Sequence, residues 1–289
     1  DLVVGETVRL SVNSDQNTAF NDLFVRYGQF PTRGQFDHTT KSPFQADPTI
    51  ILPVEQTGTY YVLLYGNQVS GAPSYSILAE VIPFSLFDVQ SDTLGNNGNA
   101  TVAIDGARFT ANTRFELFGT IDTVDYSQFA SATLIEDSTL AYATFDLLSL
   151  PAGLYDLRAV DDTDTAVLAD SITVKEGVGD DVVVLIDGPT TVRPNRITST
   201  GLNYGNLGDQ DTAAPLLLVT SASNTPMGFH SNDLSSGPLH VFGASPDGPL
   251  DILRPGSRGT AYILYNSQTT VDVRIEPFTP TDAQEITED

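Results

Sequence analysis

The stretch Gly58-Thr59-Tyr60-Tyr61-Val62-Leu63-Leu64-Tyr65-Gly66, GTYYVLLYG in one-letter form, decides the fold class. Bounded by glycines and filled with aromatic and β-branched residues, it reads as a strand whose side chains alternate between two faces. Thr59, Tyr61, Leu63 and Tyr65 fall on one face, and Tyr60, Val62 and Leu64 on the other. A sandwich strand turns one face inward. The cleaner apolar set is Tyr60, Val62 and Leu64, which predicts that Tyr61 and Tyr65 lie outside. Segments of the same character recur between Gly, Asn, Asp and Pro clusters: TVRLSV, TIILPV, ATVAID, LYDLRAV, VVVLID, LLLVTS and TAYILY. Helical periodicity is weak throughout, so the expected architecture is all-β, a series of tandem sandwiches.

At 289 residues the chain has room for two or three domains, each able to bury a core without disulfide or metal support. Two junctions divide it, one at Ile82-Pro83 and one at the Gly and Asp linker Glu176-Gly-Val-Gly-Asp-Asp181. The expected domains are therefore residues 1–83, 84–177 and 178–289, with a polar tail, PTDAQEITED, leading toward something further. The 13 basic residues are outnumbered by 37 acidic ones, a net charge of −24, and only Lys41 and Lys175 are lysines. By segment the balance is −4, −11 and −9. No basic stripe exists to replace phosphate counterions, which excludes nucleic-acid binding. No apolar run reaches the roughly 18 residues of a membrane helix, which excludes insertion by that route. The single methionine, Met227, predicts a processed or excised piece of a longer chain.

The first segment resembles the bacterial pre-peptidase C-terminal domain, a β-sandwich of secreted peptidases and large surface proteins. The matching residues are GETVRLSV, NDLFVRYGQFPTRGQFD and GTYYVLLYGNQVSGAPSYSILAEV, in family order. The strand that usually precedes the GETV position is missing or truncated, and Asn21 stands where an acid often precedes Asp22. GNNGNATVAIDGARF and LPAGLYDLRAV make the second segment similar to the immunoglobulin-like IPT/TIG fold, with Asp92 in place of a more usual proline. The third, with VRPNRITSTGLNYGNLGDQD and LRPGSRGTAYILY, resembles CARDB-type adhesion modules, although Tyr204-Gly-Asn-Leu-Gly208 replaces the commoner turn. These resemblances imply a jelly-roll-like sandwich followed by two immunoglobulin-like ones. They also imply extracellular or cell-surface residence and, from collagen-holding relatives of the first family, a peptide ligand on Tyr61 and Tyr65.

Other chemistry is sparse. Asp161-Asp162-Thr163-Asp164 falls at a hairpin turn, where its three carboxylates would offer oxygens to Ca²⁺. The spacing is not that of an EF-hand, and a solvated turn is the simpler reading. Asp180 with Asp181, and Asp209 with Asp211, are weaker versions of the same idea; Ca²⁺ at the former would stiffen a linker. Asp22 and Asp37 read as turn caps. With no cysteine, no Gly-x-Ser-x-Gly elbow and only His38, His230 and His240, nucleophilic catalysis lacks its parts. The absence of tryptophan argues against carbohydrate chemistry, and no phosphate-cradling glycine motif occurs. Asn99-Ala-Thr101 fits a glycosylation acceptor, without consequence in a bacterium.

The sequence thus predicts a non-catalytic spacer and adhesion segment whose first partners are neighbouring domains of the same chain. Two alternatives predict different surfaces. A module that targets a secreted enzyme to a protein or polysaccharide matrix needs an uncovered aromatic patch around Tyr61 and Tyr65. A self-associating filament subunit needs an open sheet edge near Leu2 to Leu10, where another chain supplies the missing strand.

Overall fold

The computed structural model describes residues 1–40, 44–162, 164–189, 191–221, 223–267 and 273–278, the side chains of 276–278 excepted. The tail after Phe278 lies outside the described residues. Among the described residues every regular element is a strand, and no helix is long and apolar enough to cross a membrane.

Six strands build the first sandwich: β1 (Thr7–Ser14), β2 (Phe20–Tyr27), β3 (His38–Thr39), β4 (Thr49–Pro53), β5 (Tyr60–Gln68) and β6 (Tyr75–Ile82). They form two three-stranded sheets, β4-β1-β6 and β3-β2-β5. Val8, Leu10 and Val12 alternate inward from β1 to meet Leu23 and Val25 of β2. Strand β1 is paired with β4 from Thr7 to Ser11 on one side and with β6 over its full length on the other. No open edge therefore exists at Thr7–Leu10, a correction to the sequence expectation. Leu2 is also engaged, in an antiparallel bridge to Gly58.

The middle sandwich contains β7 (Ser85–Gln90), β8 (Thr93–Gly95), β9 (Asn99–Ala107), β10 (Arg114–Ile121), β11 (Val124–Phe129), β12 (Ala132–Ile135), β13 (Leu140–Asp146), β14 (Gly153–Asp161) and β15 (Asp164–Lys175). Its sheets run β11-β10-β14-β15-β8 and β12-β13-β9-β7. Nineteen apolar residues are buried together here against eight in the first sandwich, so the middle unit is the best-filled of the two. Gly106 shows why GARF has its spacing. A Cβ there would lie 2.2 Å from the Phe109 ring and 2.5 Å from the Ser85 carbonyl oxygen, so only glycine lets β7 and the ring close.

The last sandwich contains β16 (Val182–Asp187), β17 (Ile197–Asn206), β18 (Thr212–Ala213), β19 (Leu216–Ser221), β20 (Met227–Gly228), β21 (Leu239–Phe242), β22 (Ile252–Leu253), β23 (Arg258–Asn266) and β24 (Val273–Phe278). Sheets β16-β17-β23-β20 and β21-β19-β24 enclose Leu202, Leu217, Val219, Met227 and Ile263, with the short pair β18-β22 at one end. No strand pairs across from one sandwich to the next among the described residues.

Candidate functional site

The most elaborate chemistry lies where the second and third sandwiches meet. Strand β9 should bury one face only, and Ala100, Val102 and Ile104 do fill the core. Yet Thr101 and Ala103, on the opposite face, are also buried, as is Tyr142, which sits opposite Ala103 on β13. What covers them is the third sandwich. The Gly248 backbone lies on the Tyr142 ring so closely that a Cβ would approach to 2.8 Å. The Tyr142 hydroxyl donates to Asp247 at 3.2 Å. Above the ring, at 4.8 Å, stands the Arg254 guanidinium, which pairs with Asp247 at 3.0 Å. Burial, with the nearby Asp247 charge, pushes the Tyr142 phenol up to about 12.

A second set of contacts binds the linker. Asp209 is buried and accepts from the backbone N–H groups of Val178 at 3.1 Å and Gly179 at 3.0 Å, with the Lys175 ammonium 3.3 Å away. Burial alone would push its carboxyl up, but the two N–H groups and Lys175 outweigh that and hold it below the ordinary value. Gly95 N–H donates to the Asp209 carbonyl at 2.8 Å, and Asp211 N–H to the Asn99 carbonyl at 2.8 Å, so main chain joins main chain across the boundary. Asp211 then reaches into the middle sandwich. Its carboxylate accepts from the Thr101 N–H at 2.9 Å and the Thr101 hydroxyl at 2.7 Å. Thr101 spends its only proton on Asp211, so in the 2.7 Å contact with Thr144 the latter donates. Burial raises the Asp211 carboxyl, against the lowering effect of those bonds.

Asn206 organises the turn that carries both aspartates. It is fully buried and has all its hydrogen-bonding capacity used. Its NH₂ donates to the carbonyls of Gln210 and Leu253, and its oxygen accepts from the N–H groups of Asp181 and Gly208. The turn Tyr204-Gly-Asn-Leu-Gly208 is thus a clamp on the linker.

The first junction is simpler. Thr7 is buried with its hydroxyl accepting from the Arg108 N–H at 2.9 Å and lying 3.4 Å from the Ser138 carbonyl. Arg9 lies 5.9 Å from the Phe87 ring centroid.

Of the residues singled out in the sequence, Tyr60 and Leu64 pack on the first core, and Tyr61 and Tyr65 lie on the other face of β5. Both outer tyrosines are half-buried under the excursion between β2 and β3. The Phe30 ring sits 4.6 Å from Tyr61, and Arg33 sits 4.4 Å above Tyr65 while donating to its hydroxyl at 3.2 Å. Phe30 itself is 79% exposed, so the aromatic surface is displaced outward onto it. Asp37 accepts from the Tyr27 N–H at 2.8 Å, a turn-capping role.

Asp161, Asp162 and Asp164 border a shallow depression of about 250 Å³ together with Arg108 and Thr110. Asp161 is taken up by the hydroxyls of Thr110 at 2.6 Å and Thr113 at 2.5 Å. Asp180 and Asp181 are exposed on the linker. Among the described residues no three acidic or histidine side chains gather as a metal-binding group. Asp209 and Asp211, read first as weak cation ligands, are occupied by hydrogen bonds of the joint. Sequence reasoning missed Thr101, Tyr142, Asn206, Asp247 and Arg254 altogether. The one signal was the apolar run Val102-Ala103-Ile104, without alternation, which fits a strand covered on both sides.

No protein-family model matches the chain, and no curated protein matches it. Solved structures do align along its length. One is the native conformation of Escherichia coli alpha-2-macroglobulin, at 12% identity and a TM-score of 0.22, over 97% of this chain and 22% of that one. This chain thus spans about a fifth of that protein. The BSP domain of a biofilm associated protein aligns at 8% identity and TM-score 0.26, over 98% of this chain and 61% of that one. A marsupial T cell receptor aligns at 11% and 0.22, over 95% and 96%. The class defined by fold and contacts is an all-β chain of serial sandwiches with a built joint.

Proposed function

We propose that the chain is a non-catalytic structural and adhesion segment of a large secreted or cell-surface bacterial protein, acting as a rigid multi-domain spacer. The observation that carries this reading is the second joint. A buried and a half-buried aspartate, a saturated asparagine and a Tyr-Asp-Arg cluster fix one sandwich on the next. Flexible linkers leave their flanking surfaces wet and unpaired. Here the linker's own N–H groups are consumed. The net charge of −24 keeps such chains soluble and apart from their neighbours. The resemblances to pre-peptidase, IPT/TIG and CARDB modules support the same extracellular role, in which no catalytic residue is assigned.

Small-angle scattering of the 289-residue chain tests the proposal. A single conformer with a fixed angle between sandwiches two and three fits the curve if the spacer is rigid; a need for a broad ensemble at that joint overturns it. A matrix-binding reading rests on one observation, the exposed Phe30 stacked on Tyr61 beside Tyr65 and Arg33. Titration with collagen-like and other fibrous peptides, comparing Phe30→Ala with the parent, decides it.

A further inference from the structure

The chain contains one Asn-Gly step, Asn97-Gly98, and the fold sets it against the second joint. It lies in the turn between β8 and β9, with Asn97 exposed and Gly98 half-buried. The neighbouring amides are held. Asn96 donates to the Leu150 carbonyl and accepts from the Gly177 N–H, both at 3.2 Å, and Asn206 is bonded at every position. Asn97 differs: among the described residues neither its side-chain amide nor the Gly98 N–H has a hydrogen-bond partner. Its side chain nevertheless lies on the linker. A Cβ built on Gly177 would come 2.0 Å from Asn97 Oδ1, and one on Gly179 would come 3.9 Å from its Nδ2. A Cβ on Gly98 would come 2.5 Å from Gln210 Oε1, in the clamp of the third sandwich.

Both reactants of an intramolecular substitution are therefore free. The Gly98 backbone nitrogen attacks the side-chain carbonyl carbon of Asn97. The new C–N bond closes a five-membered ring as the C–NH₂ bond breaks, and the proton of the attacking nitrogen leaves with the amide as ammonia. Water then adds to one of the two ring carbonyls. Opening at the first gives an ordinary aspartate, and opening at the second carries the main chain through the former side chain, as isoaspartate. The sum is amide plus water to carboxylate plus ammonia, with no other reagent. Glycine suits the step because it has no Cβ to crowd the attacking nitrogen. The Asp-Gly step in β9, Asp105-Gly106, shows the opposite case, since the Gly106 N–H is tied to the Thr139 carbonyl at 2.9 Å.

We infer that Asn97-Gly98 is a self-modifying site whose conversion to a carboxylate loosens the joint between sandwiches two and three. Both products act there. A carboxylate at position 97 adds charge beside a linker that already carries Asp180 and Asp181 and is gripped by Asp209, and like charges at close range repel. Isoaspartate also lengthens the main chain by one carbon just before the residues of β9 that make the joint. Asn99 accepts the Asp211 N–H at 2.8 Å through its carbonyl, and Thr101 holds the Asp211 carboxylate. The chemistry needs only the turn; its effect rests on the rigid joint proposed for this chain.

The test uses the full 289-residue chain, spin-labelled through Val167→Cys and Tyr262→Cys at two exposed positions. One sample is aged in mildly alkaline buffer, which speeds ring closure by drawing the proton from the attacking nitrogen, and one in mildly acidic buffer, which slows it. Both return to neutral pH for measurement. Ammonia release and peptide mapping read the chemistry, and label distances read the joint. Asn97 is expected to lose its amide ahead of every other asparagine, and the distance distribution to broaden in step with that loss. Asn97→Ala, at an exposed position without hydrogen bonds, keeps its narrow distribution through the same treatment. Loss of the Asn97 amide no faster than that of the other asparagines overturns the inference. So does a narrow distribution in chain converted at Asn97, or equal broadening in aged Asn97→Ala. A distribution already broad in fresh chain overturns the rigid joint and the effect assigned to Asn97 together, and is told apart because it precedes any loss of amide.

Discussion

Replacing Asp209 by alanine tests the joint where it is most concentrated. The carboxylate accepts from two linker N–H groups at 3.0 to 3.1 Å and faces Lys175 at 3.3 Å. Hydrogen bonds to a charged group contribute about 1.5–3 kcal/mol each. The linker is partly exposed, so water replaces some of that, and Lys175, nearly half exposed, adds little. A total near 3 kcal/mol follows, which favours undocking of the third sandwich by roughly 100-fold. The chain has no cysteine, so Val167→Cys and Tyr262→Cys, both at exposed positions, place two spin labels without background. In the parent the inter-label distance distribution is narrow. In Asp209→Ala it broadens or gains a second population, and with Asn206→Ala added it becomes broad. Narrow distributions in both variants would refute the reasoning, because among the described residues no other side chain bonds the linker N–H groups of Val178 and Gly179.

Three further outcomes are expected. The joint has a pH optimum: Asp211 is raised by burial, so docking favours its protonated form and tightens as pH falls from neutral toward about 4. Asp209 is lowered, so its contribution, full above the ordinary carboxylate range, is lost as pH falls further. Distance distributions across a pH series read both limbs, and Asp211→Asn abolishes the first. Gly106→Ala drives a methyl into the Phe109 ring and costs the middle sandwich about 1–3 kcal/mol, measured by urea unfolding. Glu116→Ala removes a buried carboxylate that accepts from Ser127 and from Arg158 Nε at 2.8 Å. Arg158 is 37% exposed and reaches water, so the loss falls at the low end for a broken buried pair, about 3 kcal/mol.

The strands were legible because each carries its own period. GTYYVLLYG shows its two faces in nine letters, and the β5 register places Tyr61 and Tyr65 outside as the alternation requires. Turn chemistry was legible in part, since Asp37 belongs to a residue type that binds its local backbone and caps a turn as read. Partnership between distant segments was not. Thr101 and Asp211 are 110 positions apart, and neither residue differs in type from one that serves only solvent. The acidic composition invited a cation reading of Asp209 and Asp211 because carboxylates look alike until their donors are seen. The resemblance of the first segment to the pre-peptidase domain implied an open edge beside β1, where pairing places β4 and β6 instead.

The two joints differ in kind, and the difference determines where the chain bends. Between sandwiches two and three, buried polar groups are paired with each other, and opening the joint would expose Tyr142, Ala103 and Thr101 together. Between one and two, the Thr7 hydroxyl and the Arg9 guanidinium over Phe87 carry the side-chain contacts, and the link from β6 to β7 is only Pro83 and Phe84. Such a link limits reach, while proline fixes one dihedral. It does not hold an angle as a packed face does. The first joint is therefore expected to open more readily than the second. Thr7→Val, which keeps shape but removes the hydroxyl, broadens label distances across the first joint and leaves those across the second unchanged. That asymmetry fits a spacer with one tightly built joint and one sparsely built joint.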